Sequence, residues 1–216
     1  MTIHSIYTQL FKIWRVKRFN KFIELLQPNR KMSLLDVGGY PWTWTVHPPV
    51  VGSITCINIH PVDWDPASAL DHNIRTVVGD GCELKFEDNS FDIVFSNSVI
   101  EHVGSLEKQQ AFAKECQRVG KNLWIQTPAR ECPIEPHYLA PFVHWMTPDT
   151  QRKLLRHFTP WGLFEKPSAS AIEEIIAKTH LLSIEEWSML FYDCSIYKEN
   201  LIGLFPKSYS AYRITS

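Results

Sequence analysis

Three polar side chains stand where buried strands should end. "LLDVGGYPWTW" (residues 34–44) runs two apolar residues into Asp36, then gives Gly38 and Gly39. "ITCINIHP" ends its apolar run at Asn58, 22 residues after Asp36, and "VVGDGCEL" supplies Asp80 and Gly81. An open parallel sheet binds ligands beyond the carboxyl ends of its strands, so these groups would gather at one site. A carboxylate, a glycine turn with bare N–H groups and an amide that both donates and accepts suit a ligand with a ribose diol. A second cluster lies further on. His137 and His144 flank "YLAPFV", and Glu135 could orient or charge His137 across the stiff Pro136. Imidazole near neutral pH suits taking a proton from a hydroxyl or amine. Glu135-x-His137 with His144 lacks strict ligand spacing, so no metal is expected. His47, His60, His72 and His180 read as structural or solvated.

The elements that must position these groups alternate. Strands are predicted at Ser33–Val37, Ser53–Ile59, Ile74–Val78, Phe91–Ser96 and Asn122–Thr127. A helix between the last two carries Phe112, Cys116 and Val119 on one face. The stretches 43–52 and 61–73 are predicted to hold short or irregular helices. Strands with helix-sized connections mean βαβ units and a parallel sheet. Residues 5–26 read as helix in two pieces, ended by Pro28. Residues 128–148, with five prolines, read as a long ordered loop. Thr147 and Pro148 then open a helix reaching about His157. Ala171–His180 is a further helix, and Ser183-x-x-Glu186 is a capping box. Ser195–Leu204 and Ser208–Ile214 read as an antiparallel hairpin joined at "FPK".

The totals bound the function. At 216 residues and 44% hydrophobic content the chain suits one globular domain. Its net charge of −1 leaves no overall footprint for nucleic acid, although residues 1–31 carry +6 and the rest −7. Five scattered cysteines without a C-x-x-C fit a reducing cytoplasm. No apolar run is long enough to span a membrane, and charges interrupt the N-terminus where a signal peptide would be apolar.

The three strand ends together resemble the class I S-adenosylmethionine-dependent methyltransferases, and most closely the group called methyltransferase type 11. The most specific stretch is "GDGCELKFEDNSFDIVFSNSVIEHV", residues 79–103. It is similar to that family's run from the adenine-contacting Asp, through an acidic turn, to the fourth strand and its S-N-S-x-x-E-H loop. The resemblance covers residues 33–127 and continues more loosely to the terminal hairpin. It implies a Rossmann-like α/β fold: a seven-stranded, mostly parallel sheet with a C-terminal antiparallel hairpin and helices on both faces. It also implies S-adenosylmethionine as cofactor, leaving S-adenosylhomocysteine as product. Cofactor contacts would fall to Asp36, Gly38, Gly39, Asn58, Ile59, Asp80, Gly81, Asn97, Ser98 and His102. The family places substrate contacts after strand five, so His137 and His144 become the candidate bases, with Glu135, Tyr138 and Trp145 beside the acceptor.

Two departures stand out: Tyr40 and Trp42 occupy later glycine positions of the first motif, and Asn58 replaces the usual acid. A pyrophosphate needs those later glycines for close backbone approach. S-adenosylmethionine has no phosphate and needs only the turn, its N–H groups and a nearby carboxylate. The losses therefore count against an NAD-linked oxidoreductase. A non-catalytic subunit on the same fold is the remaining rival. Trp42 and Trp44 are expected to wall the pocket or pack the first helix. The chain divides into a basic helical extension (1–31) and a methyltransferase domain (32–216) with 128–148 as its substrate-side loop. The extension reads as a lid over the substrate mouth, or as a peripheral membrane contact. The expected partner is a small-molecule acceptor, with no nucleic acid.

Overall fold

A computed structural model of the chain describes residues 3–69, 71–135, 140–201 and 203–215, with side chains from residue 13 onward. In chain order the elements are α1 (Ile3–Leu26), β1 (Ser33–Val37), α2 (Trp42–Thr45), β2 (Ser53–Asn58), β3 (Ile74–Val78), β4 (Phe91–Asn97), α3 (Leu106–Val119) and β5 (Gly120–Pro128). There follow β6 (Ile134–Glu135), β7 (Ala140–Pro141), α4 (Pro148–His157), α5 (Pro160–Glu165), α6 (Ala169–Lys178), α7 (Ile184–Leu190), β8 (Ser195–Leu201) and β9 (Phe205–Arg213). Seven strands form one sheet in the order β3-β2-β1-β4-β5-β9-β8, and β6 pairs with β7 in a separate two-stranded sheet. β1 to β5 of that sheet run parallel, while β9 is antiparallel to both β5 and β8. The order reverses between β1 and β4, which sets the ligand crevice at their carboxyl ends.

The two faces are covered differently. On one, Phe112, Ala113, Cys116 and Val119 of α3 join Trp187 of α7 and Phe191 over Leu35, Val37, Val94, Leu123 and Ile125. The predicted stripe of α3 is thus the buried one. On the other face the connections hold the short helices expected of them, the one-turn α2 within 38–52 and a 3-10 turn at Pro66–Ala69 within 59–73, each too short to cover the sheet. α1 covers that face instead. Arg18, Phe22 and Leu26 are buried, four residues apart on one side of the helix. Phe22 sets its ring edge-on to Trp44, Phe95 and Trp124 at 6.4, 5.2 and 5.9 Å. α1 is one continuous helix rather than two, because no Gly or Pro interrupts it; it stops where Gln27 turns to φ 46° ahead of Pro28.

Elsewhere the local signals hold with shifted edges. Ser183 and Glu186 form a complete capping box, and Pro148 sits in the first turn of α4. The segment 128–148 contains the β6–β7 pair and a 3-10 turn at Val143–Trp145, and α5 escaped the sequence reading. The last hairpin does not turn at "FPK". Those residues begin β9, and the reversal falls on the residues before them, where Gly203 takes φ 78°. Ala140, Val143, Leu155 and Ile172 form a small separate core joining this segment to α4 and α6. No described helix is long and apolar enough to cross a membrane.

Candidate functional site

β1 delivers Asp36 to the crevice as a buried carboxyl, where Trp44 Nε1 donates to its Oδ2 at 2.7 Å. Burial pushes the Asp36 pKa up to about 7, against the lowering effect of the Trp44 bond. The turn above it is packed from below. A Cβ on Gly39 would lie 1.8 Å from Asp36 Oδ2, and one on Gly38, at φ 78°, 2.6 Å from a Val99 methyl. Only bare backbone fits, and the loop after β4 is seated on the loop after β1. Gly38 N–H donates to the Ile57 carbonyl at 2.8 Å. Trp44 packs on α1 through Phe19 and Phe22, whereas Trp42 lies exposed and stacks on Tyr40 at 4.5 Å.

Asn58, at the end of β2, spends its Nδ2 on the Gly39 carbonyl at 2.7 Å. Its Oδ1 remains to accept from a ligand hydroxyl, so the donating half of the expected diol contact goes to the turn instead. Ile59 beside it is exposed. Asp80 is exposed and accepts the Cys82 N–H at 2.8 Å, closing an Asx turn. Gly81 is pressed against Phe112 and Val37, where a Cβ would meet either at 2.8 Å. Asp36, Gly38, Gly39, Asn58 and Gly81 are thus joined through direct bonds or packing.

Asn97 and Ser98 belong to a neighbouring network that sequence reading missed. Arg18 of α1 donates from Nη1 to Asn97 Oδ1 at 2.7 Å and Gln126 Oε1 at 2.9 Å, and from Nη2 to Glu199 Oε2 at 2.8 Å. Ser98, at φ 56°, donates to the same Gln126 oxygen at 3.1 Å. Glu199 also accepts from Lys207 and Ser208, each at 2.7 Å. Burial opposes the Glu199 charge, but the Arg18 and Lys207 cations overcome it and hold the carboxyl to about 2. Burial and the Arg18 charge lower Lys207 to about 8. The available signal was two polar residues, Asn97 and Gln126, ending apolar strands; nothing local names Arg18 as their partner.

His102 points its Nε2 to 4.0 Å from Glu101 Oε1, and the other Glu101 oxygen accepts from Thr127 at 3.1 Å. His137 and Tyr138 lie outside the described residues. Glu135 is buried and shares a 310 Å³ cavity with His144. His144 Nε2 meets the Arg130 carbonyl at 3.0 Å, to which Trp145 Nε1 also donates at 2.7 Å. A carbonyl only accepts, so His144 carries its proton on Nε2 and its lone pair on Nδ1. Burial pushes the His144 pKa down, against the Arg130 carbonyl and Glu135. His180, read as structural, also lines this cavity. Among the described residues no cluster of three or more His, Cys, Asp or Glu could hold a metal ion.

Residues 37–122 match the family described as methyltransferase domain. No curated protein matches the chain in sequence. Among solved structures, magnesium protoporphyrin IX methyltransferase of Synechocystis PCC 6803, solved with bound SAH, aligns with a TM-score of 0.56 at 12% identity, over 99% of this chain and 88% of that one. The PH0226 protein of Pyrococcus horikoshii OT3 aligns at 0.54 and 15%, over 96% and 91%. YcgJ of Bacillus subtilis aligns at 0.52 and 18%, over 84% and 69%. The donor set here fits the cofactor of such a fold: a bare turn backed by Asp36, and an Asn58 oxygen left to accept a hydroxyl. Residues 37–122, the cofactor half of the sheet, thus match a methyltransferase domain, and the chain as a whole takes the fold of these solved structures.

Proposed function

We propose that the enzyme methylates an oxygen or nitrogen of a small-molecule acceptor held beneath the 128–148 segment. The carrying observation is the 310 Å³ cavity there, with Glu135, His144 and Gln151 on its polar side and Leu106, Ile175 and Ile176 on its apolar side. That volume lies at the lower end of small-ligand sites, about 300–1,000 Å³. The cavity wall is bonded to the loop after β4. Gln109 Nε2 donates to the carbonyls of Ile100 and His180, at 3.1 and 2.9 Å, and His180 N–H donates to that of Glu101 at 2.8 Å.

In this reading Asp36, Gly38, Gly39, Asn58 and Ile59 take the methionyl and ribose parts of the cofactor. Asp80 and Gly81 take the adenine, and Asn97, Ser98 and His102 border the methyl. When bound, S-adenosylmethionine supplies a methyl on a sulfonium, whose S–C bond breaks as the acceptor's lone pair bonds the carbon. The chain aligns the acceptor in line and excludes water. His144, whose pKa burial lowers, and His137 are the candidate bases for the acceptor's proton. Glu135, Tyr138 and Trp145 remain the proposed acceptor contacts. α1 acts as a fixed cover, fastened through Arg18 to the ends of β4 and β5. The five cysteines are all free, which supports a reducing, cytoplasmic setting.

A screen of phenols, sugars, amines and lipid head groups, read by S-adenosylhomocysteine release, tests this. At least one class should turn over and yield an O- or N-methyl product. Turnover only with protein or nucleic acid would sink the small-molecule reading.

A further inference from the structure

We propose that the corner between α4 and α5 docks on an anionic lipid bilayer. Within the seven residues Phe158–Phe164, three large apolar side chains face solvent: Phe158 is 75%, Leu163 57% and Phe164 66% exposed. The corner that carries them is rigid. Thr159 Oγ1 donates to the Leu155 carbonyl at 2.7 Å and accepts Gly162 N–H at 2.9 Å. A Cβ on Gly162 would lie 2.0 Å from the Leu155 carbonyl, so α5 rests directly on the last turn of α4. Trp161 packs inward on the small core of Leu155 and Ile172, and leaves the other three outside.

The charge around this knob selects the occupant. Lys153, Arg156 and Lys166 are exposed, and among the described residues no acid pairs with them; Glu165 is the one exposed acid in the same stretch. Arg152 differs, being held by Asp149 and Glu173. Apolar side chains that enter the acyl boundary, ringed by cations at headgroup depth, are the make-up of an interfacial anchor. A second copy of the chain fits poorly, since a two-fold contact would set the same cations against each other. α4 runs from the acceptor cavity, lined by Pro148 and Gln151, to this corner, so the cavity would stand about 15 Å, one helix length, from the surface.

Co-sedimentation of the full chain with vesicles tests the assignment. Vesicles of phosphatidylcholine with phosphatidylglycerol should bind it, phosphatidylcholine alone should not, and added salt should release it. Phe158→Ser with Phe164→Ser should weaken binding by about fivefold or more, and Lys153→Glu with Arg156→Glu should abolish the preference for the anionic lipid. Arg15→Glu with Lys17→Glu on α1 should change neither. Circular dichroism should show all these variants folded, because every altered side chain is exposed. Failure of the unaltered chain to bind anionic vesicles overturns the proposal. So does loss of binding only in the α1 variant, or a concentration-dependent dimer that the two serine substitutions dissolve.

Discussion

Arg18 of α1 and Glu199 of β8 meet at 2.8 Å, both side chains 9% exposed, and this pair fastens the N-terminal helix to the final hairpin. Breaking it on one side should be costly. Arg18→Met strands Glu199 with only Lys207 and Ser208, and removes the donor from Asn97 and Gln126. Urea denaturation should show a loss of about 3–5 kcal/mol, and adding Glu199→Gln should recover part of it. An unchanged urea midpoint for Arg18→Met would show that the pair does not hold α1.

Asp36 makes the opposite kind of contribution. Its folded pKa of about 7 stands above the ordinary 3.8, so the stability it confers is full below pH 3.8 and is lost as pH rises to about 7. Asp36→Asn keeps an acceptor for Trp44 and removes the buried charge. The cofactor-free variant should melt at the same temperature as the parent near pH 4 and higher near pH 8. S-adenosylhomocysteine should bind it at least several-fold more weakly by calorimetry. Equal affinity would place Asp36 outside the cofactor's reach.

Asn58 holds the turn with its nitrogen and offers its oxygen to the cofactor. Asn58→Leu removes both and should cost the order of 1–3 kcal/mol in S-adenosylhomocysteine affinity. Asn58→Asp keeps an acceptor but sets a carboxylate against the Gly39 carbonyl, so it should bind better than the leucine variant and melt below the parent. If the leucine variant binds like the parent, Asn58 does not touch the ribose.

His144 should set the acidic limb of the pH–rate profile once an acceptor is known. Burial lowers its pKa, so that limb should fall below the ordinary 6.5. His144→Ala should lower kcat by about a hundredfold, abolish the limb and leave S-adenosylhomocysteine affinity intact. If kcat survives and His137→Ala removes the limb, the base is His137.

The parts legible in the sequence were those whose physics is local. Asp36 before two glycines, Asn58 and Asp80 each end an apolar run; the five parallel strands were placed to within about two residues, and the 3.6-residue pattern named the buried face of α3. The cap at Ser183 and the proline of α4 announced themselves in the same way. α5 did not: Thr159 and Pro160 repeat the cap-and-proline signal of α4, but six residues are too few to show a helical period.

What tertiary structure decided was pairing across distance. The connections 38–52 and 59–73 have room for helices but form single turns, because α1 already buries the sheet face they would cover, with Phe22 at its centre. Arg18 looks like any cation of a basic helix until Asn97, Gln126 and Glu199, 79 to 181 residues away, are brought around it. Trp44 reads as a wall of the pocket or a packing residue for the first helix until its N–H is seen on Asp36. A sequence states which groups exist and how each short segment folds. Which buried charge or donor meets which is settled only when the sheet closes, because burial makes an unmet partner costly.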